Sequence, residues 1–424
     1  MKETTPRPDR VFLLGVLLPG TEPERLDEQM RELAELTRTA GGEVVATDVQ
    51  RRADIDPALF VGAGKVAEIA ERHGELEYDL VICNEDLSPR QLRNLDRRLK
   101  VRVMDRTDLI LDIFARHART REGRLQVEVA SLRHWLPRLV GAYDYNRQVG
   151  GVGVRGGPGE QQIEIERRRV RVRMRDLERE LEQVRGQRER QRESRRVSEL
   201  ATVAVVGYTN AGKSTLLNTL TGAGVLAENQ LFATLDPTTR RWRLPGGREV
   251  LLSDTVGFIQ KLPTELVAAF RATLEEVTEA DLILQVVDGT AAALDDQAET
   301  VDQVLAELGA ADRPRIIAVN KADALGPAAL RRVLQRLRAR YPLVLPISAL
   351  RNRGLERLGE AVVKATESEL VAMELLVPWG RERILAELRR EGVVDETTFT
   401  PEGTYLRGRA PKGALHRFRQ YAAG

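Results

Sequence analysis

Gly207-Tyr208-Thr209-Asn210-Ala211-Gly212-Lys213-Ser214 is the stretch from which the rest of this chain can be read. An apolar run, Val203–Val206, comes directly before it, and a helical pattern, Thr215–Leu220, directly after. A GxxxxGKS turn between a buried strand and a helix start is a phosphate cradle. Its glycines let backbone N–H groups turn inward, and the helix N-terminus adds positive potential. Lys213 reaches the outer phosphates from there, and the Ser214 hydroxyl is offered to Mg2+. Strand, loop and helix in that order also argue for an α/β fold.

Further motifs follow the cradle, each at the end of an apolar run. Asp254-Thr255-Val256-Gly257 comes after Val250–Leu252. In P-loop enzymes an aspartate at this strand end holds the magnesium, and the glycine N–H senses the γ-phosphate. Asn320-Lys321-Ala322-Asp323 comes after Ile316–Val319. The Asp323 carboxylate can accept two hydrogen bonds from guanine, at N1–H and the 2-amino group. Adenine offers neither and would leave that carboxylate unpaired, which is costly. Ser348-Ala349-Leu350, after Leu343–Pro346, fits the loop whose backbone N–H meets guanine O6. Four motifs in this order point to GTP as substrate, cleaved to GDP and phosphate, with Mg2+ as cofactor.

Between the first two motifs lies Phe232-Ala233-Thr234-Leu235-Asp236-Pro237-Thr238-Thr239-Arg240. A switch segment must supply a threonine to the metal when the γ-phosphate is present, and spacing leaves Thr234, Thr238 and Thr239 all open. After DxxG, where well-understood GTPases carry a glutamine that orients the attacking water, this chain has Phe258. Slow intrinsic turnover is expected, with a partner supplying the missing group. Arg240 and Arg241 read better as the start of a strand than as a group acting in cis.

The N-terminal half alternates strand patterns (Val11–Leu18, Glu43–Val49, Asp79–Cys83, Val101–Met104) with helical ones (Pro23–Thr39, Lys65–His73, Ser88–Leu99). That alternation predicts a parallel sheet covered by helices. Thr107–Ala118 and Gln126–Val140 continue as helices. The glycine run Gly150–Gly159 can be neither helix nor regular strand. Glu160–Arg196, dense in Arg and Glu, reads as a long charged helix, or as a helical hairpin bent near Gly186. Its arginines fit either a solvated face paired at i, i+4 or a face that tracks RNA phosphates. The tail from Leu370 reads as strand, helix (Gly380–Glu391), two short strands around Pro401–Gly403 and a basic helix ending near Tyr421. The expected domains are therefore 1–148 (α/β), 149–196 (glycine loop and basic helix), 197–367 (P-loop domain) and 368–424 (small α+β).

Bulk properties exclude other classes. With 424 residues, 42% hydrophobic and 31% charged, the chain is long enough for several cores and contains no membrane-spanning run. A net charge of +2 makes any nucleic-acid affinity a matter of local patches. The start, MKETTPRPDR, has no apolar signal segment, and one cysteine, Cys83, fits a reducing cytoplasm. Four scattered histidines offer no zinc spacing. Gly62-Ala63-Gly64-Lys65 lacks P-loop spacing and reads as a tight turn.

With these residues in view, the chain resembles the HflX family of ribosome-associated GTPases. GYTNAGKSTLLN, FATLDPTTR, DTVGFI and NKAD carry the resemblance in the GTPase region. Val61–Lys65, Leu87–Gln91, Asp105-Arg106-Thr107 with Leu109–Ala115, and Gln126-Val127 carry it in the N-terminal half. The glycine segment departs from the family pattern by one extra glycine and by Gln161 in place of threonine. The resemblance implies that Thr234 is the switch threonine, that Ser214 and Thr234 hold the metal with Asp254, and that Lys213, Thr234 and Gly257 serve catalysis. It places Phe232, Ala233, Thr234, Leu235 and Asp236 at the nucleotide beside the motif residues already named. It further implies a cytoplasmic monomer that binds the large ribosomal subunit and its rRNA through the N-terminal half and splits stalled or idle ribosomes. A nucleotide-gated assembly factor is the rival reading. A tRNA-modifying GTPase is disfavoured by the lack of a C-terminal cysteine or flavin-binding pattern.

Overall fold

The computed structural model describes residues 7–141, 158–195, 200–222, 231–232, 239–260, 276–366, 370–411 and 421. By packing, the described residues up to 185, together with Leu231 and Phe232, form one compact unit, and the remainder form a second.

In the first unit, strands β1 (Arg10–Leu17), β2 (Glu43–Arg51), β3 (Leu80–Cys83) and β4 (Arg102–Asp105) make a parallel sheet in the order β2-β1-β3-β4. Helices α1 (Pro23–Thr39), α2 (Ala63–Glu71), α3 (His73–Leu76), α4 (Pro89–Leu99) and α5 (Arg106–His117) connect or flank these strands. The starts of α4 and α5 are specified locally, since Ser88 with Gln91 and Asp105 with Asp108 form reciprocal capping boxes. Phe12, Leu14, Ile69, Val81 and Leu95 are fully buried in the core, each contributing about 1.5–3 kcal/mol. The tight turn expected at Gly62–Lys65 is instead a helix start. Gly62 is the extended N-cap of α2, and Lys65 bonds Asp48 at 3.1 Å and Glu68 at 3.0 Å.

Two longer helices follow, α6 (Arg121–Gly141) and α7 (Pro158–Arg195). The helical hairpin considered near Gly186 does not form, because α7 runs through that residue without interruption. One glycine costs about 1 kcal/mol against alanine, too little to break a helix by itself. Leu177 and Leu181 of α7 pack on Leu125 and Val129 of α6. The glycine run at 150–157, Tyr143, Tyr145 and the basic segment at 412–420 lie outside the described residues.

In the second unit the sheet order is β10-β9-β8-β5-β7-β6. Its strands are β5 (Thr202–Gly207), β6 (Thr239–Arg243), β7 (Glu249–Asp254), β8 (Leu282–Asp288), β9 (Arg315–Asn320) and β10 (Val344–Pro346). All pairs are parallel except β6 with β7, so Arg240 and Arg241 are strand residues, as expected. Helices α8 (Lys213–Thr221), α9 (Leu294–Glu307), α10 (Pro327–Arg338) and α11 (Leu355–Thr366) accompany this sheet. The tail forms an antiparallel sheet, β11 (Leu370–Pro378), β13 (Gly403–Pro411) and β12 (Val393–Thr400), against α12 (Glu382–Glu391). No helix among the described residues is long and apolar enough to cross a membrane.

Candidate functional site

The C-terminal ends of β5, β7, β9 and β10 carry the motif residues, where open α/β sheets bind ligands. At the end of β5, Gly207 adopts φ +152°, and a Cβ there would fall 2.2 Å from the Val286 carbonyl oxygen. Only glycine permits so close an approach to β8. Gly212, with φ +90°, caps α8, and a Cβ would lie 2.3 Å from Asn320 Nδ2.

Lys213 is buried, and its ammonium donates to the carbonyls of Gly207 at 3.0 Å and Tyr208 at 2.7 Å. Burial lowers its pKa to about 8, against the opposing pull of Asp254. Two loop carbonyls thus hold the cation. Ser214 donates its hydroxyl to Asp254 Oδ2 at 3.4 Å, and Asp254 is itself buried. A hydroxyl and a carboxylate side by side are hard oxygen donors suited to Mg2+. Gly257 lies beside them, where a Cβ would be 3.0 Å from Lys213 Nζ. Thr255 and Tyr208 turn their side chains elsewhere. The Thr255 hydroxyl donates to the Val205 carbonyl at 2.8 Å, and the Tyr208 hydroxyl accepts from the Gln260 amide at 2.9 Å.

Asn320 joins the two ends of the site. Its Nδ2 donates to the Ala211 carbonyl and its Oδ1 accepts from the Ala349 amide, both at 2.9 Å. Thr209, Asn210 and Ala211 are thereby tied to the Ser348-Ala349-Leu350 loop, which closes on itself through paired Ser348 and Arg353 backbone bonds. The Ala322 amide donates to the Ile347 carbonyl at 3.1 Å, drawing Asp323 to the same place. A hydrogen bond from Ser348 leads the interactions that lower the Asp323 pKa, with Arg351 Nε 3.8 Å away. The carboxylate is thus kept in its accepting form. Leu350 is exposed.

One participant carried no motif signal. Asp288, at the end of β8, pairs with Lys321 at 2.6 Å and fixes the start of the Lys321–Asp323 segment. The register of Asp288 opposite Asn320 could have been found only by pairing β8 with β9. Phe232, placed at the nucleotide by resemblance, turns its ring edge-on to Phe114 at 4.6 Å within the first compact unit. Ala233, Thr234, Leu235 and Asp236 lie outside the described residues.

Outside this site, Cys83 is buried, and burial followed by the nearby Asp105 raises its pKa well above the usual thiol value. That environment suits a core residue rather than a nucleophile.

The comparisons with known proteins agree with this geometry. Residues 27–115 match the family described as GTP-binding GTPase N-terminal, and 117–195 match GTP-binding GTPase Middle Region. Residues 202–321 match the family described as 50S ribosome-binding GTPase. The GTPase HflX of Caldanaerobacter subterraneus subsp. tengcongensis is 42% identical over 422 residues, covering 99% of this chain and 95% of its own. That of Magnetococcus marinus is 46% identical, with coverage of 93% and 91%. Among solved structures, a GTP-binding protein from the archaeon Sulfolobus solfataricus in complex with GDP is similar. It has 25% identity and TM-score 0.46, over 85% of this chain and 99% of that one.

Proposed function

Because the chain belongs to the HflX family of GTPases and hydrolyses GTP, we propose that it uses Mg2+ and GTP to bind the large ribosomal subunit and split stalled or idle ribosomes. GTP fixes the conformation that binds, and hydrolysis releases it. The protein acts as a cytoplasmic monomer, in four parts bounded near residues 148, 196 and 367.

The observation that carries the nucleotide part is the Asn320 clamp, which puts the buried Lys213 ammonium and the base-reading Asp323 on loops tied to one another. In this reading the backbone of Gly207 to Gly212 wraps the phosphates. Lys213 leaves its two loop carbonyls for the β- and γ-phosphate oxygens. Asp323 accepts from guanine, and the Ala349 region offers backbone N–H to O6. Ser214, Thr234 and Asp254 hold the metal, which when bound neutralises charge on the phosphate oxygens. The Gly257 amide meets the γ-phosphate. Phe258 is buried and apolar, so water must be ordered by another group.

The RNA-facing part rests on α7, where Arg168, Arg169 and Arg171 are exposed in succession along the helix. Part of this face is ion-paired, Arg167 and Arg171 with Glu164 and Arg173 with Glu128. Phosphate contact would therefore come from a part of the arginine face, with affinity that falls as salt rises.

Light scattering of intact ribosomes mixed with full-length protein and GTP tests the proposal. A fall in signal with GTP and none with GDP is expected. Binding without any fall would favour the assembly-factor reading, and absence of binding would remove the ribosome from the account.

A further inference from the structure

Tyr208 is assigned to the phosphate loop by its position, and only its backbone is used there. Its side chain does something else. Three hydrogen bonds join residues 207–209 to residues 258–260. The Phe258 amide donates to the Gly207 carbonyl at 3.1 Å, the Thr209 amide donates to the Phe258 carbonyl at 2.8 Å, and the Gln260 amide donates to the Tyr208 hydroxyl at 2.9 Å. The first two form a short parallel bridge that any pair of residues could make. The third needs a hydroxyl at the end of a long, rigid side chain at position 208, and the Tyr208 ring is buried to hold it there.

The segment so held begins at Gly257. On its N-terminal side the segment is anchored by the Thr255 hydroxyl on the Val205 carbonyl. On its C-terminal side it is anchored by the Phe258 bridge and the Tyr208 bond. Gly257 itself packs against Thr209 and Lys213 Nζ, with no room for a Cβ on either side. The direction of the Gly257 amide is thus set from both ends. Removing one anchor widens the range of directions it samples without removing any group that grips the nucleotide.

We propose that Tyr208 is a positioning residue for hydrolysis, its phenol oxygen latching the chain after Gly257 to the phosphate loop so that the Gly257 amide faces the γ-phosphate. The inference rests on the placement of Gly257 at the γ-phosphate given above. GDP has no γ-phosphate for the Gly257 amide to meet and is held through Lys213, Asn320 and Asp323, so the latch acts on the hydrolysis rate and leaves affinity for GDP alone.

The test is Tyr208→Phe in the full-length protein, which deletes one oxygen and keeps the ring in its buried seat. Single-turnover hydrolysis at saturating GTP should fall about fivefold, the population change that a hydrogen bond of ordinary net strength controls. The GDP dissociation constant should stay within about twofold, and amide exchange at Gln260 should quicken by about the same fivefold. An unchanged rate overturns the latch, and so does unchanged exchange at Gln260. A loss of rate accompanied by equal losses in nucleotide affinity and melting temperature also overturns it, because Tyr208 would then be a packing residue only. Wild-type protein separates this from the wider reading, since equal affinity there for GDP and for a non-hydrolysable GTP analogue would sink the Gly257 assignment itself.

Discussion

Buried charge is handled in opposite ways in two regions of this molecule. In the second compact unit, Lys213 is buried and held by backbone carbonyls, with burial drawing its pKa down to about 8. In the first unit, Asp105, Asp108, His134 and Arg138 are packed together with acid and base matched. Arg138 bonds Asp108 Oδ2 at 2.6 Å and also Asp105, and His134 lies 3.2 Å from Asp108. Arg106 pairs with Glu32 close by. The three residues Asp105, Asp108 and His134 come near enough to chelate a metal ion, yet the Arg138 guanidinium already holds one oxygen of each carboxylate and supplies the compensating charge. A site held ready for a ligand leaves its charge partly uncompensated, whereas a structural network compensates itself. Substitution should therefore affect function in one region and stability in the other.

The largest effect is expected from Lys213→Ala, with hydrolysis falling about a thousandfold while the melting temperature holds or rises. A drop of several degrees in melting temperature would show that Lys213 is part of the scaffold. Asp323→Asn should weaken GTP about a hundredfold through two lost charge-assisted hydrogen bonds. It should also shift preference toward xanthosine triphosphate, whose 2-oxo group accepts from the amide. Competition binding with both nucleotides decides this, and a retained GTP preference would move base reading away from Asp323. Arg138→Ala makes the converse case. It leaves two buried carboxylates without their main cation and should cost about 3 kcal/mol in denaturant unfolding, with nucleotide affinity of the folded protein unchanged. Lost affinity in well-folded protein would dissolve the contrast between the regions.

A pH series sharpens it further. Burial opposes charge on His134, but bonds to Asp105 and Asp108 outweigh it and raise the imidazole from 6.5 to about 9. That stabilisation is complete below 6.5 and is lost as the pH rises through 9. Asp108 is also opposed by burial, and His134 and Arg138 still bring it from 3.8 to about 2, so its share is complete above 3.8 and lost as the pH falls through 2. Stability from this network should be flat between about pH 4 and 6.5; the His134 shift corresponds to about 3 kcal/mol lost by pH 9.5, which solvent screening of the partly exposed imidazole cuts to about 1–2 kcal/mol. His134→Gln should flatten the alkaline limb, and an unchanged limb would place the titration elsewhere. The smallest effect is expected at Phe258. Phe258→Leu should lower stability by about 1 kcal/mol and alter the intrinsic hydrolysis rate by less than about threefold in single-turnover assays. A large fall would mean that the ring itself orders the water.

What could be read from the sequence was whatever is encoded in adjacent residues. Motif, strand end and helix start sit within a dozen positions of one another, so the order of the second sheet's binding edge followed from apolar runs and glycines. The parallel N-terminal sheet followed in the same way. Groups brought together across long separations were not legible: Arg138 with Asp105, Glu32 with Arg106, Lys321 with Asp288, and Tyr208 with Gln260. Nothing in the composition of α6 distinguishes Arg138 from its solvated neighbours until β4 and α5 are set beside it. The differences are local ones of punctuation. The long charged helix holds through Gly186 without the alternative hairpin, and Gly62, expected in a turn, serves as an N-cap.

Leu231 and Phe232 lie deep in the stretch that carries the nucleotide motifs, yet both are buried and belong to the first compact unit. The Leu231 amide donates to the Thr39 hydroxyl at 3.3 Å, and the Phe232 ring meets Phe114. A chain cut near residue 196 would therefore yield two damaged pieces. One would carry a vacated notch around Phe114, and the other would present a greasy tag at 231–232 to water. Mixed together, the pieces should find each other and restore the whole, while each alone should adhere to glassware, to itself or to whatever apolar surface is offered. Pull-downs made with such truncations would report that adhesiveness, and two fragments co-expressed in one cell are the better tool for dissecting this protein.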